Sequence, residues 1–140
     1  MSGREPRPRA YQHRVRVYYE DTDAAGVVYH TSYLRYMDRA RTEWLRSRGW
    51  SVERLASELG LLFVVGAVKV RYRIPAHHDD ELDVGVQVES MRPASLTIDQ
   101  PVVRAGGPVI CEGSIRLVAV GSDSFRPKPI PETLLRALDP

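Results

Sequence analysis

A chain of 140 residues, 43% hydrophobic and 27% charged, has room for one soluble domain with an ordinary core and is cramped for two. Its 20 Lys and Arg against 18 Asp and Glu leave a net charge of +2, too little to mark a nucleic-acid binder. The single cysteine, Cys111, excludes an intramolecular disulfide and a cysteine-based zinc site, which fits a reducing, cytoplasmic setting.

Met1 to Tyr11 holds arginines and prolines but no apolar run. It reads as a disordered arm over 1–11, neither a signal peptide nor a membrane span, with 12–140 as one domain. From His13 to Glu20, Val15 and Val17 alternate with Arg14 and Arg16, the period of a strand with one buried face. Asp21, Thr22 and Asp23 then favour a turn through their short polar side chains, and Gly26 permits backbone angles closed to other residues.

From Thr31 to Arg48, Leu34, Met37, Ala40, Trp44 and Leu45 recur at three- and four-residue steps, predicting a long helix with one apolar stripe and Thr31 or Ser32 as N-cap. Gly49 reads as its stop, and Ser51 to Arg54 as the start of a short helix ending at Gly60. The period then changes. Val68 to Ile74, Leu82 to Val88, Leu96 to Val102 past Pro101, and Cys111 to Ala119 alternate as strands, with Arg104 to Pro108 as a turn. Arg126 to Pro131 reads as stiff and extended, followed by a helical turn or two over Glu132 to Leu138 on the surface. No internal repeat is present. The order of elements predicts an antiparallel sheet curled around the long helix, and its open edges point to a homodimer.

The join between the first strand and the long helix carries more than a turn. Val17-Tyr18-Tyr19-Glu20-Asp21-Thr22-Asp23-Ala24-Ala25-Gly26-Val27-Val28-Tyr29-His30, followed by Tyr33 to Arg41, resembles the opening of the hotdog-fold acyl-CoA thioesterases. It is most similar to the Tol-Pal-associated branch of the 4-hydroxybenzoyl-CoA thioesterase family, and the likeness continues more loosely from 61 to 131. The resemblance implies an α+β hotdog fold, a five-stranded antiparallel sheet wrapped around a central helix. It also implies homodimers or homotetramers with sites at subunit interfaces, and hydrolysis of an acyl-CoA or acyl carrier protein thioester. Coenzyme A is then part of the substrate and no separate cofactor is expected.

Asp23 stands just ahead of a helix start, whose partial positive charge favours the ionised form, so it is suited to attack a carbonyl or activate water. The resemblance makes this second aspartate of the Asp-x-Asp motif the catalytic one. The plainer reading is a turn cap. His30 offers an imidazole to orient water or Asp23, and a backbone amide for a thioester oxyanion. Its plainer reading is an exposed polar residue. Asp21 either shares a proton with Asp23 or serves the turn. Gly26 brings the backbone near the thioester or simply turns the chain. Val27, Val28, Tyr29 and Tyr33 are candidates to contact substrate, Tyr33 with a core role as the alternative. Asp38 falls where the hydroxybenzoyl enzyme has an aspartate that meets the ring hydroxyl of its substrate, or on a solvated helix face.

The run His77-His78-Asp79-Asp80-Glu81 lacks the spacing that puts ligands on one helical face, so it reads as a polar turn and no metal is expected. Arg92, Arg126 and Lys128 are candidates for a basic rim around coenzyme A phosphates, or charges for solubility. No glycine-rich phosphate loop is present. Two other functions stay open: a hotdog hydratase or dehydratase, and a non-catalytic partner of Tol-Pal or lipid-synthesis proteins.

Overall fold

The structure, a computed structural model, describes residues 10–139. The arm expected over 1–11 lies outside these residues except for Ala10 and Tyr11, and Tyr11 already pairs with Val86. Strand β1 (Tyr11–Arg16) leads through a short 3-10 turn (Tyr19–Asp21) to α1 (Ser32–Ser47) and α2 (Val52–Leu59). Strands β2 (Leu61–Tyr72), β3 (Glu81–Arg92), β4 (Ser95–Arg104) and β5 (Val109–Gly121) follow, and α3 (Glu132–Leu138) ends the order. The strands form one antiparallel sheet in the order β1-β3-β4-β5-β2. The two helices between β1 and β2 carry the chain across the sheet, so those consecutive strands end on opposite edges. This is the expected hotdog arrangement.

Alternation decides the sheet's faces. Leu82, Val84, Val86 and Val88 of β3, Ile98 and Val102 of β4, and Cys111, Ile115, Leu117 and Ala119 of β5 are buried. Against them lie Tyr33, Tyr36, Met37, Ala40, Trp44 and Leu45 of α1. The buried stripe is thus turned slightly from the one expected, with two tyrosines inside and Leu34 only half-buried. Gly113 sets how closely the helix approaches, because a Cβ there would stand 2.7 Å from Met37 Sδ and Cε. Gln100, fully buried, donates from Nε2 to the Met37 carbonyl at 2.9 Å and accepts from Arg41 Nη1 at 2.8 Å. These two bonds stitch β4 to α1 where an unpaired amide would be costly.

Two elements, β2 and the C-terminal segment, depart from the sequence expectation. β2 starts at Leu61 rather than near Val68, because a register shift between Val65 and Ala67 breaks the alternation that marks a strand. β4 continues through Pro101 as expected, and because that ring lies 3.1 Å from where a Cβ on Gly85 would sit, glycine makes the room. The C-terminal segment is more than a surface turn: Ile130, Leu134 and Leu138 join the core.

Candidate active site

The chain leaves the 3-10 turn into a small hairpin in which Thr22 bridges Val28. The Asp23 amide donates to the Val27 carbonyl at 2.9 Å and the Gly26 amide to the Asp23 carbonyl at 3.0 Å. Gly26 has φ 80°, a conformation that a side chain would strain. Asp23 therefore stands exposed on a two-residue-wide arm, where Oδ1 accepts from the Ala25 amide at 2.9 Å. Oδ2 has no hydrogen-bond partner among the described residues.

Asp21, two residues earlier, is 6% exposed and fully engaged. Its Oδ2 accepts from the Tyr18 amide at 2.9 Å and its Oδ1 from Arg35 Nη2 at 3.2 Å. Its carbonyl accepts from the Tyr29 amide at 2.8 Å and the Ser32 hydroxyl at 3.1 Å, which binds the turn to the first residue of α1. The buried Tyr36 phenol is raised well above its ordinary pKa, first by burial and then by the nearby Asp21 carboxylate. Asp21 is thus committed to the framework and shares no hydrogen bond with Asp23.

His30 is exposed and follows directly on the hairpin. The amides around it are used: Val28 donates to Ala76, Tyr29 to Asp21 and Ser32 to Tyr29. The His30 amide donates to no other backbone group among the described residues. The hydroxyl of Tyr72, at the far end of β2, donates to the His30 carbonyl at 2.8 Å. The His30 ring lies 4.5 Å from that of Tyr29 and 6.5 Å from that of Tyr72, centroid to centroid. Burial lifts the Tyr72 phenol pKa, keeping it a donor. Sequence reading missed Tyr72, since only folding brings it back over the 42 residues that separate it from His30.

The other candidates divide. Gly26 and Tyr29 are exposed beside Asp23 and His30, and Val27 is half-buried. Val28 and Tyr33, candidates for substrate contact, face the core at 4% and 3% exposure, the alternative offered for Tyr33, and the Tyr33 hydroxyl accepts from the Ala76 amide at 3.1 Å. Both are turned inward because the strand bridge at Val28 and the first turn of α1 seal the sheet at that point. Asp38 is an exposed ion-pair partner of Arg41 at 3.2 Å. The three basic candidates do not join Asp23. Arg92 ends β3, eleven residues or roughly 35 Å along the strand from Glu81 beside the hairpin. Arg126 lies past Gly121, which pairs with Leu61 at the opposite end of β2 from Tyr72. Lys128 has a structural task, its ammonium donating to the Leu59 carbonyl at 2.6 Å to cap α2.

His77 and His78 point toward Asp80 and Asp79 respectively, and Glu81 pairs with Arg14 and Arg16. No group of three or more metal-ligating side chains is assembled among the described residues. Two of the cavities among the described residues lie elsewhere on the fold. A groove of about 390 Å³ crosses the sheet face away from α1, lined by Lys69, Arg71, Glu89, Asp99 and Glu112 among others. A smaller, mostly apolar pocket of about 140 Å³ lies between α1, α2 and β2, walled by Trp44, Leu45, Leu55, Leu62, Phe63 and Leu117 among others, with Asp38, Arg41 and Thr42 also in its lining. Asp23 and His30 line neither.

A family model described as the thioesterase-like superfamily matches residues 17–138, from two residues before the 3-10 turn through the last residue of α3. The chain belongs to that superfamily. It is 41% identical over 121 residues to the acyl-CoA thioester hydrolase YbgC of Escherichia coli O157:H7, covering 86% of this chain and 90% of that one. It is 36% identical over 123 residues to the acyl-CoA thioesterase YbgC of Haemophilus influenzae, covering 88% and 90%. A probable thioesterase from Bartonella henselae superposes with a TM-score of 0.82 at 28% identity, covering 87% of this chain and 99% of that one. Family and relatives together make the chain a thioester hydrolase.

Proposed function

We propose that this thioester hydrolase acts on acyl-CoA, with an acyl carrier protein thioester as an alternative carrier of the same group, and that Asp23 and the His30 amide do the chemistry. The observation that carries the reading is an exposed carboxylate on the hairpin followed, seven residues on and just ahead of α1, by a His30 amide that donates to no backbone group among the described residues. The Asp23 carboxylate takes a proton from water as the oxygen adds to the thioester carbon, or adds to that carbon itself. In either case the new C–O bond places negative charge on the carbonyl oxygen, where the His30 N–H stabilises it. Collapse breaks the C–S bond. In both routes the thiolate leaves. Where Asp23 acted as base, it returns the proton taken from water to the thiolate. Where Asp23 was the nucleophile, water then cleaves the acyl-aspartate anhydride, giving the free acid, the carboxylate and a proton for the thiolate. The His30 imidazole, tilted against the Tyr29 ring, orients the water. No cofactor enters this scheme.

Asp23 and His30 open to solvent beside the Tyr72 end of β2, which is an uncovered sheet edge with Val65, Val68 and Tyr72 exposed. These features support a homodimer paired along β2, with tetramers as a further assembly. Antiparallel pairing about the middle of β2 brings the Tyr72 end of one copy to the Leu62–Val65 end of the other, where the 140 Å³ apolar pocket lies. A cavity near 150 Å³ accommodates about a six-carbon ring, so that pocket suits a short acyl or single-ring group. No helix among the described residues is long and apolar enough to cross a membrane. The single, buried cysteine supports a cytoplasmic location. The test is steady-state release of thiol from short, long and aromatic acyl-CoA substrates by the native protein and by Asp23→Asn. Full hydrolysis by the variant removes Asp23 from the mechanism, and light scattering that shows only monomer at working concentration removes the shared site.

A further inference from the structure

We propose that Asp80 is a positioning residue for the Asp23 site, acting through the peptide unit that joins Ala76 to His77. The proposal rests on Asp23 being the acting carboxylate. Asp80 Oδ2 accepts from the His77 amide at 2.9 Å, and the carbonyl of the same peptide unit, that of Ala76, accepts from the Val28 amide at 2.8 Å. The N–H and C=O of a planar trans peptide point in opposite directions, so the bond on one side aims the bond on the other. Val28 follows Val27, which bridges His77 and whose carbonyl holds the Asp23 amide at 2.9 Å. On its other flank the Ala76 amide donates to the Tyr33 hydroxyl at 3.1 Å, in the first turn of α1. One fully buried residue, Ala76, therefore holds both the hairpin that carries Asp23 and the helix start where the His30 amide stands.

Asp80 is itself well fixed. Its carbonyl accepts from the Val17 amide at 2.9 Å and its amide donates to the His77 carbonyl at 3.1 Å. Arg104 Nη2 lies 3.3 Å from Asp80 Oδ2 and also donates to the Pro75 carbonyl at 3.3 Å, so the guanidinium straddles the loop. A carboxylate acceptor makes the bond to the His77 amide stronger than a neutral one would. A thioester and an oxyanion donor must be held to within a fraction of an ångström, and a displacement of about 1 Å costs on the order of 100-fold in rate.

The experiment compares full-length Asp80→Ala, Asp80→Asn and Asp23→Asn with the native protein in acyl-CoA hydrolysis. Asp80→Ala is expected to lower kcat about 10- to 100-fold with KM within about twofold. Asp80→Asn keeps an oxygen that accepts from the His77 amide while losing the pair with Arg104, and is expected to recover most of kcat. Should Asp80→Ala not fold, Asp80→Glu, which displaces the carboxylate by one methylene, is expected to cost kcat with KM retained. Unchanged kcat in the variant that folds overturns the proposal, as does an equal loss in Asp80→Ala and Asp80→Asn that follows their thermal stability. Full activity in Asp23→Asn instead overturns the reading of the site. An inactive Asp23→Asn beside a fully active Asp80→Ala overturns only the role of Asp80.

Discussion

Asp21 and Asp23 are the same residue type two positions apart, and the fold gives them opposite situations. Asp21 is buried, with both carboxylate oxygens and its carbonyl occupied by Tyr18, Arg35, Tyr29 and Ser32. Asp23 is exposed on a hairpin, and its carboxylate accepts a single hydrogen bond, from the Ala25 amide. A carboxylate whose lone pairs are filled by the framework is held still and is unavailable to a substrate. One left half-satisfied in an open position is free to react. The rigid neighbour and the reactive one are therefore complementary, the first fixing the stem from which the second projects.

Breaking each side separately gives different losses. The largest is expected for Asp23→Asn, which should lower kcat/KM for acyl-CoA by about 100-fold or more while the thermal midpoint stays within about 1 °C, read by thiol release and calorimetry. Asp21→Ala should do the reverse, costing about 2 kcal/mol in urea unfolding because the Tyr18 amide loses its acceptor while half-exposed Arg35 is rescued by water, with a smaller fall in turnover. A fall in kcat as deep as that of Asp23→Asn would erase the distinction between the two.

Gly113→Ala sharpens the contrast from the framework side. The added methyl meets Met37 at 2.7 Å, and overpacking of that kind costs about 1–3 kcal/mol, measurable as a lower urea midpoint at unchanged KM. The smallest effect belongs to Glu81, whose carboxyl is held below its ordinary range by the hydrogen bond from Arg14 and then by the charge of Arg16. With the folded pKa depressed, its contribution is present above the ordinary carboxylate pKa and is lost as pH falls through the folded value. Thermal midpoints of Glu81→Gln between about pH 3 and 7 should therefore fall slightly less steeply on the acid side than those of the native protein.

Much of the architecture was legible because it is written in short periods. The alternation in β3, β4 and β5, the three- and four-residue steps of α1, the Ser51 cap whose hydroxyl accepts from the Arg54 amide, and the left-handed Gly60 all follow from neighbours a few residues apart. The Asp-Thr-Asp turn and the Gly26 hairpin belong to the same class. β2 was only half legible, since one irregularity at Gly66 put its two halves out of phase.

By itself, then, the sequence determined the order and kind of the elements and the stretch in which reactive groups gather. Tertiary structure alone decided which aspartate is buried, that Val28 and Tyr33 turn into the core, that Lys128 caps α2, and that Tyr72 and the Ala76–Asp80 loop attend the hairpin. The reason is range: periodicity and capping act within one or two turns of chain, whereas the Asp21 bonds to Ser32 and Arg35 span 11 and 14 residues and those of Tyr33, Tyr72 and Lys128 span 40 or more, brought together by the sheet order.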